Sequence, residues 1–170
     1  GIIRYQRAGT ENAPGVAFAT QGEEHVALGT PFQYNSNPPT SGPHYQDPLN
    51  WGVYDFEVPD QAVIHNLEHG GIWISYQPSV PAAVVEDLKR IASEFSGSKI
   101  VMAPRAANEH AVAVAAWGRL LMLDLSGNTL SASQLEDIRR FYRAFRNKAP
   151  EGDIPATMPG VDPKSLIQQR

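Results

Sequence analysis

The sequence predicts an α+β fold: a small mixed or antiparallel sheet with two helices, a long irregular N-terminal third and an extended C-terminal tail. Regular apolar periodicity is confined to residues 61–148. Half of the 14 prolines and half of the 14 glycines fall in residues 1–60, where they disfavour regular elements. Proline also recurs in residues 151–170, where the apolar residues show no helical or strand periodicity. We therefore predict a single domain over residues 1–150, followed by a tail.

The first half of this domain contains three predicted strands and one helix. Short runs at residues 25–28 and 32–34 favour two brief strands within the loop-rich third. Residues 72–76 are β-branched and aromatic, which predicts a buried strand. A helix is predicted to begin at residues 79–81, because proline is tolerated in the first turn of a helix. Gly97 is expected to end this helix. Its apolar face repeats at helical spacing through Val84, Leu88, Ile91 and Phe95.

The second half of the domain adds three strands. Residues 99–103 predict one strand, which Pro104 closes. Residues 111–117 and 120–125 predict an antiparallel hairpin that turns at residues 118–119, Gly-Arg. These strands complete the sheet of the predicted α+β core.

A second helix follows the hairpin. Ser133 and Glu136 have the spacing of a capping box, which predicts its start. Its apolar stripe consists of Leu135, Ile138, Phe141, Tyr142 and Phe145. The four arginines on its other face are interpreted as a solvated surface and not as a binding patch.

Composition and charge exclude several classes of function. The formal net charge is −4 and no basic run is present, which argues against a nucleic-acid partner. No stretch reaches the roughly 18 apolar residues that a membrane span needs. The chain has no cysteine, so disulfides, thiolate metal sites and cysteine nucleophiles are excluded. A domain without thiols suits an oxidising compartment, and any metal must bind imidazole, carboxylate or thioether.

Three of the five histidines lie in two distinctive stretches, and the first is PPTSGPH at residues 38–44. Its three prolines fix φ, and its glycine permits a tight bend. A loop this stiff holds one side chain in a fixed place, and His44 comes at its end. We therefore take His44 as a candidate metal ligand.

The second stretch is HNLEHGG, in which His65 and His69 are four residues apart. On a helix, this spacing puts the two Cβ atoms about 6 Å apart, suitable for one ion. On a strand, the same residues would be roughly 13 Å apart, which is too far. Because Gly70 and Gly71 would stop a helix, we expect a single helical turn or a tight bend just before the next strand.

The same stretch matches H-x-x-E-H, a motif of zinc peptidases in which two histidines bind zinc and the glutamate is a general base. Those enzymes carry the motif on a long helix, and no downstream carboxylate ligand is evident here. Glu68 is therefore a catalytic base only if the protein is a hydrolase. Glu68 equally fits a carboxylate that fixes the tautomer of a ligand histidine. The motif alone does not establish an enzyme.

Histidine and methionine also have purely structural uses. A buried histidine often serves only as a hydrogen-bonded core residue, and His110 is interpreted as a surface residue. Met102, in a predicted strand, fits the core, although a thioether beside imidazoles would favour copper. Met158 in the tail is open to the same two interpretations.

Several segments resemble the uncharacterised prokaryotic family catalogued as domain of unknown function 3105. The resemblance covers roughly residues 20–152 and rests on EHV, PPTSGPH, HNLEHGG, AWGR and APE, which begin at Glu24, Pro38, His65, Ala116 and Ala149. It implies that four histidines belong to the recurring pattern of the family, whereas His110 does not. These four are His25, His44, His65 and His69.

Members of this family resemble secreted or membrane-anchored proteins with a hydrophobic segment before the domain. Residues 1–5 have neither an initiator methionine nor the pattern of a signal peptide. We therefore expect a processed chain that works outside the cytoplasm, as a secreted, periplasmic or cell-surface protein.

These observations predict an extracytoplasmic metal-binding domain for metal carriage or as an accessory to a larger assembly. His44, His65 and His69 are the expected ligands, and His25 is either a fourth ligand or a hydrogen-bond partner of one. Copper is the first expectation for the ion and zinc the second. The alternatives are a metal-dependent hydrolase and a non-catalytic or self-assembling surface subunit. In the last case, the N-terminal segment and the tail would contact a second copy or another protein.

Overall fold

The structure is a computed structural model that describes residues 12–167. Within this range six strands form one sheet: β1 (Val16–Ala17), β2 (Gly52–Val53), β3 (Ile72–Tyr76), β4 (Ile100–Pro104), β5 (Val112–Ala116) and β6 (Arg119–Leu123). Four helices accompany it: α1 (Asp60–Glu68), α2 (Ala82–Glu94), α3 (Ala132–Phe145) and α4 (Pro163–Ile167). The predicted α+β class is confirmed, and α1 and α4 add to the two predicted helices, α2 and α3.

The sheet is mixed, with the order β1-β6-β5-β3-β4-β2. β3 pairs in parallel with β4 and antiparallel with β5. The connection from β3 to β4 runs through α2, the crossover that parallel neighbours require. β5 and β6 form the predicted hairpin, but its turn residues are Trp117 and Gly118, because Arg119 already pairs with Ala116. Gly118 has a φ of +71°, which suits a two-residue turn.

Alternation of side chains across the sheet divides the core into two layers. In β3, Ile72 and Ile74 pack on the side of α2 and α3, whereas Trp73 packs on the side of α1. Burying a side chain of this size stabilises the fold by about 1.5–3 kcal/mol. The α1 layer is the one that positions the histidines.

Helix α1 is longer than the single turn that was predicted. It has nine residues, and residues 61–68 are all buried. A helix that is buried on every side has no polar face, so the usual amphipathic signal is absent. The predicted stop is correct: Gly70 takes a φ of +85°, and the N–H of Gly71 donates to the carbonyl of Asn66 at 2.9 Å. These are the features of a Schellman ending.

Two other helix ends differ from the prediction by one or two residues. After α2, Ser96 and Gly97 both have positive φ, +55° and +64°, and the N–H of Gly97 donates to the carbonyl of Ala92 at 2.8 Å, so the left-handed turn begins one residue before the predicted glycine. At the start of α3, the capping box joins Ser131 to Gln134 instead of Ser133 to Glu136. Both pairs have the spacing of the motif, so the sequence alone did not separate them.

The short strands predicted at residues 25–28 and 32–34 do not form. A single parallel bridge between His25 and His44 is present instead. The partner segment, residues 38–44, contains three prolines and so has few N–H groups for a ladder. The prediction was wrong because it considered local residue types without the partner strand.

The segment after residue 150 lies against the domain and is partly helical. The N–H of Val161 donates to the carbonyl of Pro48 at 2.8 Å, and the N–H of Asn50 donates to the carbonyl of Val161 at 2.9 Å. Leu166 in α4 is buried in the α1 layer. The tail therefore supports the loop that precedes β2.

No helix within residues 12–167 combines the length and the apolar character needed to cross a bilayer. The expectation of a processed N-terminus concerns residues 1–5, which lie outside the described range.

Candidate metal centre

The end of α1 brings three side chains of the HNLEHGG stretch to one place. His65 and Glu68 are three residues apart in the last turn, and His69 follows as the C-cap. The ring centroids of His65 and His69 are 4.6 Å apart. A strand would have separated these two rings, so the helical conformation decides that they meet.

The proline-rich loop carries His44 to the same place. Residues 38–44 are all buried. Gly42 has a φ of +103°, and its carbonyl accepts a hydrogen bond from Nδ1 of His44 at 2.9 Å. The carbonyl of Thr40 accepts from the N–H of Gly118 at 3.1 Å, which ties the loop to the hairpin. His44 is thus fully buried and fixed in orientation.

His25 reaches the cluster through its bridge to His44. The N–H of Val26 donates to the carbonyl of His44 at 2.8 Å, and the N–H of His44 donates to the carbonyl of Glu24 at 2.9 Å. The ring centroids of His25 and His44 are 5.1 Å apart, and those of His25 and His65 are 5.3 Å apart. Because His25 is exposed, its ring lies on the solvent side of the cluster.

His44 and His65 are held in the same tautomer. Nδ1 of His65 lies 2.8 Å from the carbonyl oxygen of Tyr45. In the same way, Nδ1 of His44 lies 2.9 Å from the carbonyl oxygen of Gly42. A carbonyl oxygen only accepts, so each Nδ1 carries the hydrogen and each neutral ring keeps a free lone pair on Nε2. Histidines that bind metals are typically oriented in this way.

Both Nε2 atoms face the carboxylate of Glu68. Oε1 of Glu68 is 3.4 Å from Nε2 of His44 and 3.8 Å from Nε2 of His65, and all three side chains are buried. Nε2 of His44 has no hydrogen-bond partner. Nε2 of each ring therefore faces a carboxylate oxygen, an arrangement that either a proton on the ring or a metal ion between the groups would stabilise.

A second carboxylate, that of Glu151, lies beside His69 and Glu68. Nε2 of His69 lies 3.1 Å from Oε2 of Glu151, whose side chain is 48% exposed. The N–H of Glu151 donates to the carbonyl of Glu68 at 3.0 Å, and donor oxygens of the two carboxyl groups lie within 4.8 Å of one another. Sequence reasoning gave Glu151 no role, because it lies far along the chain in a turn. Its place in the family-like APE stretch was the available signal.

The two carboxyl groups differ in acidity. Burial raises the pKa of Glu68, but contact with His44 outweighs burial and lowers the pKa overall. Burial raises the pKa of Glu151, and the charge of Glu68 raises it further. Glu68 is therefore the more acidic member of the pair.

The buried histidines are mostly held neutral. Burial lowers the pKa of His65, and burial together with the charge of His65 lowers the pKa of His69 to about 4. For His44, burial acts in the same direction, but the neighbouring Glu68 carboxylate outweighs it and raises the pKa. His65 and His69 are thus neutral at pH 7, the form that binds a metal.

The donor atoms form two overlapping sets, and within each set they all lie within 4.8 Å of one another. The three-histidine set consists of His25, His44, His65 and Glu68. The two-glutamate set consists of His65, Glu68, His69 and Glu151. These buried groups can hold a metal ion. The four histidines that the family pattern singled out all belong to the cluster.

Met102 does not join them. It is fully buried in β4, in the layer of α2 and α3, and its register partner is Ile74. The thioether therefore packs on the face of the sheet opposite α1, so the candidate ligand Met102 does not lie beside the imidazoles. His110 lies apart, partly exposed, with its Nδ1 3.1 Å from Oδ1 of Asp124. Met158 is exposed in the tail.

Other residues of the HNLEHGG stretch build the frame of the site. Asn66 accepts from the N–H of Leu49 and donates to its carbonyl, both at 2.8 Å. A Cβ at Gly71 would lie 2.5 Å from the ring of Trp51. Lys99 donates to the carbonyl of His69 at 2.7 Å, which ties the end of α1 to the start of β4. The stretch thus carries candidate ligands and also supports the site structurally.

The fold and this cluster together define an α+β domain with a buried histidine–carboxylate site. The chain matches the family model described as "Protein of unknown function (DUF3105)" over residues 25–157, and it belongs to that family. The match includes both donor sets in full. No curated protein and no solved structure matches the chain.

Proposed function

We propose that this protein is a metal-binding domain in which the three-histidine set holds one ion. Three imidazole nitrogens and one carboxylate oxygen are ligands of the number and type that Zn²⁺ accepts. One observation carries the proposal: Nε2 of His44 and Oε1 of Glu68 are buried 3.4 Å apart, and Nε2 has no hydrogen-bond partner.

A proton on His44 is the competing explanation for this contact. A charged N–H···O pair ordinarily closes to about 2.7–2.9 Å, which is shorter than the distance seen here. When two ligands bind one tetrahedral zinc ion at ordinary bond lengths, their donor atoms are roughly 3.3 Å apart. The separation of 3.4 Å between His44 and Glu68 therefore supports an ion more than a proton.

The donor chemistry narrows the choice of ion. Copper was expected because the site would be rich in imidazole and free of thiolate. A thioether from Met102 would have favoured it further, but Met102 lies on the opposite face of the sheet. The donors of the cluster are imidazole and carboxylate, which suit Zn²⁺ and Cu²⁺ better than the softer Cu⁺. We propose one of these two divalent ions as the ligand.

The role we propose is metal carriage, or service as an accessory to a larger assembly, outside the cytoplasm. The absence of cysteine supports an oxidising location. We propose Glu68 as a ligand, and the support is that its Oε1 faces the Nε2 atoms of His44 and His65. This placement gives little support to a hydrolase in which Glu68 is the base.

The test is equilibrium dialysis and calorimetry of the full chain with Zn²⁺ and with Cu²⁺, read by elemental analysis. We expect a dissociation constant far below 1 mM, and a loss of about 100-fold or more in a variant that combines His44→Gln with His65→Gln. His110→Gln is the matched control, because it removes a histidine outside the cluster. Millimolar binding by the wild type, or unchanged binding in the double variant, would overturn the proposal.

A further inference from the structure

We infer that the cluster is a dinuclear centre, in which Glu68 bridges two ions and His69 and Glu151 hold the second one. The inference rests on the proposed function, because the second ion binds beside the first.

The six donor residues do not converge on one point. They form two sets that share His65 and Glu68, and only within each set do all donor atoms lie within 4.8 Å of one another. One ion in the three-histidine set leaves His69 and Glu151 unused. The question is which shared residue could serve both ions.

His65 can serve one ion alone. Its Nδ1 donates to the carbonyl of Tyr45 at 2.8 Å, which leaves Nε2 as the single free nitrogen. That Nε2 lies 3.8 Å from Oε1 of Glu68, the same oxygen that His44 faces. His65 therefore belongs with His44 and His25 on the first ion.

Glu68 is the residue that can bridge. A carboxylate has two oxygens, and each can bind a different ion. Oε1 of Glu68 faces the histidines of the first ion, and a donor oxygen of Glu68 also lies within 4.8 Å of one of Glu151. Because Glu68 belongs to both sets, its second oxygen is the one assigned to the second ion.

The second position has three protein donors. Nε2 of His69 and Oε2 of Glu151 are 3.1 Å apart, a separation compatible with two ligands of one ion. Two carboxylates within 4.8 Å of one another repel each other unless a proton or a cation lies between them. Glu68 and Glu151 meet this condition when an ion binds beside His69.

The second ion would have fewer protein ligands than the first. Each set has one exposed member, His25 in the first and Glu151 in the second, so exposure alone does not separate the two positions. Three protein ligands leave a position for water, as in zinc sites that react with substrates. We therefore expect the second ion to bind more weakly and to exchange first.

The experiment measures zinc stoichiometry by dialysis and elemental analysis of the full chain. We expect two Zn²⁺ per wild-type chain and one in Glu151→Gln and in His69→Gln, with the affinity of the remaining ion changed less than about threefold. Glu23→Gln is the matched control, because it removes a nearby exposed carboxylate outside both sets. It should retain two ions.

A spectroscopic measurement separates a bridged pair from an ion bound elsewhere on the surface. In wild type loaded with two Cu²⁺, we expect magnetic coupling to reduce the electron paramagnetic resonance signal, and Glu151→Gln with one Cu²⁺ to show the full signal of an isolated ion. One ion per wild-type chain, two ions in Glu151→Gln, or two uncoupled Cu²⁺ would overturn the dinuclear centre and leave the proposed function standing. No ion in the wild type would overturn both.

Discussion

Nε2 of His44 lies 3.4 Å from Oε1 of Glu68, and both side chains are buried. The hydrogen of His44 is directed to the carbonyl of Gly42, so a neutral ring offers a lone pair to a carboxylate. A buried pair of this kind costs free energy unless a cation lies between the two groups. The relationship between these residues is the physical basis of the predictions that concern metal binding.

Glu68→Gln should separate metal binding from stability. The amide of glutamine can donate a hydrogen bond to an imidazole Nε2, which the carboxylate cannot do. We expect the metal-free variant to unfold at the wild-type temperature or above it, and its Zn²⁺ affinity to fall by about 100-fold or more. Thermal unfolding with and without Zn²⁺ measures both effects, because a ligand that binds the native state raises the unfolding temperature. A variant that zinc stabilises as much as the wild type would contradict this prediction.

Asn66→Ala should weaken the frame of the site. Asn66 makes two hydrogen bonds to the backbone of Leu49, and both residues are buried. Loss of the amide leaves a buried N–H and a buried carbonyl without partners, which costs about 2–4 kcal/mol. Urea unfolding of the metal-free chain measures the loss.

Asn50→Ala is the control for that measurement. The side chain of Asn50 accepts one hydrogen bond from the N–H of Gly160 at an exposed position. Water can replace this partner, so we expect a loss below about 1 kcal/mol. Equal losses in the two variants would argue against the structural role of Asn66.

Gly70→Ala should be more destabilising than Gly22→Ala. Both glycines have positive φ, +85° and +92°, so both variants carry a backbone cost of about 1–2 kcal/mol. A Cβ at Gly70 would also lie 2.6 Å from Cα of Asn147, whereas a Cβ at Gly22 would meet nothing within 4 Å. The overlap should add about 1–3 kcal/mol, measurable by urea unfolding. Equal losses would show that the turn after α1 can relax.

The ion pair between α2 and α3 should make stability depend on pH. Arg139 donates two hydrogen bonds to Glu94, at 2.7 and 3.0 Å, and this contact lowers the pKa of Glu94 below its ordinary value of 4.5. A carboxyl group whose pKa is lowered by folding stabilises the protein at pH values above its ordinary pKa. That contribution is lost as the pH falls through the lowered pKa. Glu94→Gln should therefore lower the unfolding temperature at pH 7 and have little effect at pH 2.

Glu86→Gln is the matched control for this pH series. It removes another exposed carboxylate of α2, whose neighbour Lys89 is 3.5 Å away within the same helix. Its effect should be small at both pH values, because exposed pairs contribute little. A Glu94→Gln effect that is the same at pH 7 and pH 2 would contradict the assignment to charge.

Helix α2 and strand β3 were predictable from sequence because their signals are local. Val84, Leu88 and Ile91 repeat at helical spacing and are all buried. Helix α1 gave no such signal, because packing on all sides removes the contrast between its faces. The strands predicted at residues 25–28 and 32–34 failed for the opposite reason: their residue types were suitable, but their neighbour is a loop rich in proline.

The sequence by itself determined which residue types are present for a site: imidazoles in two stiff or glycine-bounded stretches, no thiols, and a four-residue spacing between His65 and His69. Tertiary structure alone decided that His25 and His44 pair across a bridge, that Met102 packs on the opposite face, and that Glu151 joins the cluster. The reason is physical: residue type and local spacing act within a few residues, whereas ligand geometry depends on backbone contacts between segments that are distant along the chain.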